Sequence, residues 1–246
     1  MESTSYQTAS PGEPPDLFRK ESEALEKARL ISADPAAVAG SYHEALAELI
    51  VHYERLMRET RRLIGRSDRA EREMQVLTQQ LQYRAAHDAL TGVFNRSEVI
   101  EQTIKTLRFN RAVMILLDID EFKKVNDDYG HPAGDTVIVG IVNCLRTALG
   151  NKGFIGRVGG EEFTVVLPGI DFAGAMEVAE GMREQIAAHR FPAPVSRRVT
   201  ASFGLSDNAV GTDFDTAYGL ADAALYAAKR GGRNRVAFSG SEEAAE

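Results

Sequence analysis

Arg157-Val158-Gly159-Gly160-Glu161-Glu162-Phe163 is the stretch on which the reading of this chain turns. It lies between two short apolar runs, Gly153 to Val158 and Phe163 to Leu167, so the paired glycines predict the tight turn of a β-hairpin. Glycine tolerates positive φ and lets a phosphate or another backbone approach, so this turn sets two carboxylates beside a bare surface. That is a metal and phosphate site in outline. Alone, such a tetrapeptide is more often a surface hairpin with solvated acids, and the rest of the chain has to decide between the two.

Working outward, Arg111 to Leu117 is a continuous apolar run that predicts a strand buried on both faces, and it stops at Asp118-Ile119-Asp120. A helix from Glu121 to Tyr129 follows at once. Gly130 to Asp135 reads as a loop, with Asp135 as cap of a long apolar helix ending at Leu149. Beyond the hairpin come a helix from about Ala173 to His189, a strand from Arg198 to Leu205, a helix from Thr216 to about Lys229, and a short closing strand. This order predicts an α/β domain with a sheet of mixed direction. If the strands ending at Asp118 and Glu161 are neighbours, their carboxylates share one sheet edge. Hard oxygen ligands of this kind suit Mg²⁺, which takes one or two carboxylates and completes its shell with substrate phosphate and water. The helix start at Glu121 to Lys123 adds open amides that can hold phosphate.

The N-terminal third is organised differently. Residues 1–15 are Ser, Thr, Pro, Gly and Glu with little to bury, and are expected to be disordered, as is the tail from 241 to 246. Asp16 is placed to cap a short helix over 16–33, and Asp34-Pro35 to start a second one. From Tyr42 a three-four alternation runs through Leu46, Leu49, Tyr53, Leu56, Thr60, Leu63, Ser67, Ala70, Met74, Leu77 and Leu81. A heptad pattern held this long predicts a left-handed coiled coil over 34–86, whose seam from Tyr42 to Leu81 makes a stalk on the order of 60 Å. Its middle is weak, because Thr60, Ser67 and Ala70 add little apolar area and Gly65 costs a helix about 1 kcal/mol.

The chain has 246 residues, 43% hydrophobic and 26% charged, with a net charge of −7, which gives no reason to expect a nucleic-acid partner or an anionic membrane. The single cysteine, Cys144, falls in an apolar helical pattern and excludes a disulfide framework. With no leader-like N-terminus and no apolar run long enough to span a bilayer, the expected location is the cytoplasm.

Several stretches then line up. Asp88-Ala89-Leu90-Thr91-Gly92-Val93-Phe94-Asn95-Arg96, Asp118-Ile119-Asp120-Glu121-Phe122-Lys123-Lys124-Val125-Asn126-Asp127, Gly130-His131 with Gly134-Asp135, Gly159 to Phe163, and Tyr226 to Arg235 resemble, in order, the motifs of the GGDEF diguanylate cyclases. The resemblance covers about residues 84–240, and places the catalytic domain at 87–240. It implies the palm-like α/β fold of nucleotide cyclases and the condensation of two GTP into cyclic di-GMP, a biofilm signal, with loss of two pyrophosphates. It implies Mg²⁺ as cofactor, two per active site with Mn²⁺ as a possible substitute, on Asp118, Glu161 and the Ile119 carbonyl. Glu161, Glu162 and Lys229 become the catalytic residues. Asn126 and Asp135 read guanine, Lys229 and Arg233 clamp the triphosphate, and Phe122 and Lys123 supply backbone amides.

One departure stands out. The family's inhibitory product site is built on Arg-x-x-Asp, and the matching window here is Gly150-Asn151-Lys152-Gly153, with Glu177 and Gly181 where further arginines often stand. No inhibitory site is therefore expected. Because each domain presents one GTP, activity requires two domains face to face, and a parallel coiled-coil homodimer would supply them. Residues 1–83 leave no room for a sensory domain, so a separate adaptor protein on the first helix or the stalk is expected, as in stalked stand-alone cyclases of the SiaD type. The alternative from another class is an inactive GGDEF domain that senses GTP or cyclic di-GMP.

Overall fold

The computed structural model describes residues 18–239, so the readings of 1–15, Asp16 and 241–246 lie outside the described residues. The chain divides between Leu77 and Thr78 into two compact units.

In the first unit, α1 (Arg19–Ala33) lies antiparallel against the beginning of α2 (Ala39–Ala86). Glu21 meets Arg55 at 2.6 Å and Lys27 meets Glu48 at 2.8 Å, pairs that run in opposite directions along the two helices. The buried residue of each helix is an alanine, Ala24 and Ala45, as a close crossing of two helices requires. Asp34 does not start α2. It ends α1, and its Oδ1 accepts the Ala36 N–H, the local turn by which aspartate competes with helix formation. From Ala39 the second helix runs unbroken through Thr60, Gly65 and Ser67. Along its heptad positions Leu46 is 57% exposed, Leu63 60% and Leu81 66%, while Leu49 and Leu56 are half-buried, so the described residues of a single chain leave most of the seam open.

In the second unit Asn95 joins two helices. Its backbone N–H and Nδ2 donate to the Ala86 and Ala85 carbonyls at the end of α2, while its Oδ1 accepts from Glu98 N and caps α3 (Arg96–Phe109). Then follow β1 (Ala112–Ile119), α4 (Phe122–Tyr129), α5 (His131–Leu149), β2 (Phe154–Arg157), β3 (Glu162–Pro168), α6 (Phe172–Ala188), β4 (Ala201–Asn208), α7 (Phe214–Arg230) and β5 (Val236–Ser239). The sheet order is β2-β3-β1-β4-β5, with β1 antiparallel to both neighbours and β4 parallel to β5. This is the mixed sheet that the element order predicts. Asp135 is not the cap of α5: the helix begins four residues earlier, because Gly130 takes φ 82° and Pro132 suits the first turn.

All eight residues of β1 are buried, since helices cover both faces of the sheet. Val113, Ile115, Leu117 and Ile119 pack with residues of α5 and α6; Met114 and Leu116 pack with Leu107 of α3 and Ala217, Ala221 and Leu225 of α7. Alternation along the strand therefore turns Asp118 toward the α7 side. The alanines of α7 let it lie close to the sheet, and Gly204 of β4 completes the fit: a Cβ there would collide with the backbone at Leu225 N and Ala221 O. No helix among the described residues is long and apolar enough to cross a membrane.

Candidate active site

The site forms where β1 ends. Lys229, in the last turn of α7, places its Nζ 2.9 Å from Asp118 Oδ2. The Asp118 side chain is only 10% exposed, and burial pushes its carboxyl above the usual range although Lys229 and Arg233 pull it down; the negative charge of Asp120 adds to the rise. Glu161 arrives from the hairpin, its carbonyl accepting the Ile119 N–H at 3.2 Å, while Glu162 lies opposite Asp118 in the strand register. Burial raises the Glu161 carboxyl as well, and the nearby Asp118 charge raises it further. Two such carboxyls raise each other's cost of ionisation, a repulsion that a cation relieves, as Lys229 does at Asp118.

The hairpin itself departs from the expected tight turn. Val158 to Glu161 make a four-residue connection, closed by Val158 N and Gly159 N on the Glu162 carbonyl, and neither glycine adopts a left-handed φ. The longer connection removes the need for one. At Gly159 the missing side chain matters for space, because Glu162 Oε2 lies 2.5 Å from where a Cβ would sit. Arg157 braces this turn, donating to the Gly160 carbonyl at 2.7 Å and to Asp88 at 3.2 Å.

Phe122 and Lys123 open α4, whose N-terminus no side chain caps, leaving its first amides available to an anion. Just before them Glu121 takes φ 56°, held by Arg197 at 2.9 Å and Lys124 at 2.6 Å. Asn126 lies against Gly134, where its Oδ1 fills the space a Cβ would need, and Asp135 follows on the exposed side of α5. The structure thus brings Asp118, Ile119, Glu161, Lys229 and Arg233 together at one sheet edge, with Phe122 and Lys123 on the next helix start and Asn126 beside the Gly134-Asp135 turn of α5. Glu162 projects toward Gly159, adds its charge to the rise of Glu161, and adds to the effect of burial in raising the Tyr218 phenol.

Three supporting residues were given no role by the sequence: Arg197, which lies outside every motif, and Asp88 and Asp120, which lie within two of them. Asp120 is buried and accepts from Thr200, Ser202 and the Asn234 amide. Only its spacing two residues after Asp118 hinted that it shares that strand's face. Among the described residues no three His, Cys, Asp or Glu side chains gather into a closed cation cage. Two carboxylates with raised pKa and a neighbouring carbonyl fit Mg²⁺, an ion that normally relies on substrate oxygens and water for the rest of its shell.

Comparison with known proteins gives the same picture. The family model for the diguanylate cyclase GGDEF domain matches residues 85–235, more than half of the chain. The chain is 41% identical over 162 residues to the probable diguanylate cyclase DgcT of Escherichia coli, covering 62% of this chain and 35% of that protein. It is 40% identical over 161 residues to the diguanylate cyclase DgcP of Pseudomonas aeruginosa, covering 62% of this chain and 24% of that protein. It therefore spans about a third or less of these two curated relatives. Among solved structures, the coiled coil and GGDEF domain of DgcB from Caulobacter crescentus, in complex with c-di-GMP, superposes with a TM-score of 0.68 at 28% identity, covering 73% of this chain and 98% of that one. The diguanylate cyclase SiaD of P. aeruginosa, in complex with its activator SiaC, gives 0.61 at 30% identity over 90% and 88% of the two chains. A palm-like sheet with these motifs at its edge, matched by a family model and by these neighbours, shows that the chain belongs to the GGDEF-domain diguanylate cyclase family.

Proposed function

We propose that the protein is a diguanylate cyclase that joins two GTP into cyclic di-GMP and releases two pyrophosphates. The observation that carries this reading is the convergence of Lys229 on Asp118, beside Glu161 and Arg233, at the end of a fully buried strand. In each of two like steps a 3′-oxygen bonds to the α-phosphorus of the other nucleotide, the α–β bridging P–O bond breaks with its electron pair going to the departing pyrophosphate, and the hydroxyl proton passes to water. The open amides of α4 take phosphate oxygens, and Lys229 moves from Asp118 to the triphosphate, with Arg233 as the planar second cation. Asn126 and Asp135 read the guanine edge; an aspartate that accepts from N1–H and the 2-amino group finds no such donors on adenine. Glu161 and Glu162 keep the field at the α-phosphate favourable to cations. Divalent ions on Asp118, Glu161 and the Ile119 carbonyl would polarise the α-phosphate and stabilise the departing pyrophosphate.

Two active sites must face each other for ring closure, and the open heptad seam of α2 supports a parallel homodimer as the means. The SiaD complex with its activator supports a separate regulatory protein acting on α1 or the stalk. GTP as substrate fits a cytoplasmic protein. The deciding experiment is incubation with GTP and Mg²⁺ at a series of protein concentrations. Cyclic di-GMP formed with a rate that rises faster than linearly in protein is the expected result; GTP bound but never consumed would instead mark an inactive sensor.

A further inference from the structure

Asp120 touches none of the groups assigned to the reaction, yet it is among the most fully engaged side chains of the domain. It is 8% exposed, and its Oδ2 accepts from Thr200 Oγ1 at 2.7 Å and Asn234 N at 3.0 Å, while its Oδ1 accepts from Ser202 Oγ at 2.7 Å. Thr200 and Ser202 are alternate residues at the start of β4, so both hydroxyls project from one side of the strand. The third donor comes from a different element.

That donor belongs to a strained turn. Gly232, Arg233 and Asn234 follow one another with φ of 111°, 62° and 45°. The left-handed region is disfavoured for a residue with a Cβ, so such a turn persists where its surroundings over-determine it. Here two charged groups grip Asn234 from opposite sides: Asp120 holds its N–H, and Arg183 of α6 donates to its Oδ1 at 3.4 Å. Arg233, the residue between the glycine and the gripped asparagine, has its direction fixed by the same dihedrals.

We infer that Asp120 is a positioning residue for substrate binding: through the Asn234 amide it holds the Arg233-Asn234 turn left-handed and so aims the Arg233 guanidinium at the nucleotide triphosphate. The inference rests on Arg233 being a triphosphate ligand in the proposed reaction. Without the grip, Arg233 keeps its charge and loses its aim, so GTP binds less tightly while the chemistry of bound GTP proceeds.

A double-mutant cycle tests this on the full chain, with 3′-deoxy-GTP and Mg²⁺ as the probe, since a nucleotide without the attacking hydroxyl binds and does not react. Asp120→Asn and Arg233→Ala should each weaken binding about tenfold, the usual size for losing one hydrogen bond to a charged group, and the double variant should be no weaker than Arg233→Ala alone. With GTP, Asn234→Val, which leaves the Asp120 charge near Asp118 in place, should raise KM and leave kcat nearly unchanged. A second pair removes no charge. Asn234→Gly, which keeps the N–H and tolerates the turn, should bind as the wild type does. Asn234→Val, whose branched side chain is excluded from this backbone region, should reproduce Asp120→Asn. This pair also decides the matter if Asp120→Asn fails to fold. Equal losses from Asp120→Asn in both backgrounds, or a harmless Asn234→Val, would overturn the inference while leaving the cyclase reading intact. No loss from Arg233→Ala would overturn the inference together with the assignment of Arg233, and failure of the wild type to make cyclic di-GMP would overturn the cyclase reading itself.

Discussion

Strand β1 and helix α2 are built from similar aliphatic residues and use them in opposite ways. Every residue of β1 is buried, whereas Leu46, Leu63 and Leu81 of α2 are more than half exposed. The strand lies in a domain that supplies both covering layers from its own sequence. The helix carries an apolar stripe that the described residues of its own chain leave uncovered along most of its length. Under the proposed pairing of two stalks, stability in the first case is a property of one molecule and in the second would depend on concentration.

The largest expected effect lies at the end of the strand. Asp118→Asn should lower cyclic di-GMP formation by on the order of 100-fold or more, as removal of a central electrostatic group does, without lowering the melting temperature. Burial raises this carboxyl, so its charged form opposes folding at neutral pH and its loss relieves the domain. The sign extends to pH. Asp118 and Glu161 are both raised, so on acidification they take up protons above the ordinary carboxylate range, and kcat/KM falls there. Stability should hold through that window, because a carboxyl with a raised folded pKa favours the fold once protonated. A thermal melt that declines in step with activity would contradict this separation.

One substitution made in both regions sharpens the contrast. Gly204→Ala forces a methyl into the backbone of α7 and should cost the domain about 1–3 kcal/mol in a denaturant titration. Gly65→Ala meets nothing within 4 Å and should stabilise α2 by about 1 kcal/mol. Between them in size comes the seam. Leu63→Asp should shift the protein toward monomer in sedimentation and lower turnover roughly tenfold in dilute solution, with recovery at high protein concentration; a loss that concentration does not repair would place Leu63 in the domain's own folding instead. Smallest of all is the response to product. With Gly150 and Gly153 where arginine and aspartate would be needed, added cyclic di-GMP should leave the initial rate within about twofold of its starting value, a change of well under 1 kcal/mol at RT ≈ 0.59 kcal/mol.

How far the sequence could be read follows the range of the forces involved. The run from Arg111 to Leu117 announced a strand covered on both faces because burial leaves a local compositional mark, and the heptads of α2 did so by period. Asp34 misled, since a cap and an Asx turn use the same side chain in the same place, and only the packing of α1 decides between them. The hairpin turn was expected to be tight because glycine pairs usually are; its true width is set by Arg157 holding Gly160 from below. The role of Asp120 was hidden for a plainer reason. Its partners Ser202 and Asn234 stand 82 and 114 residues away, and no local pattern records a contact made across that distance.

Asn95 has a consequence for how such molecules are assembled. One asparagine closes the last turn of one helix and opens the first turn of the next, and all it asks of the incoming helix is two free carbonyl groups. Beside these two bonds, Tyr83 of the incoming helix stacks on His87, which in turn meets Phe94. A helix that ends in step with Ala85 and Ala86 and keeps that ring offers the same junction, so what the GGDEF half reads of its upstream helix is confined to a single turn.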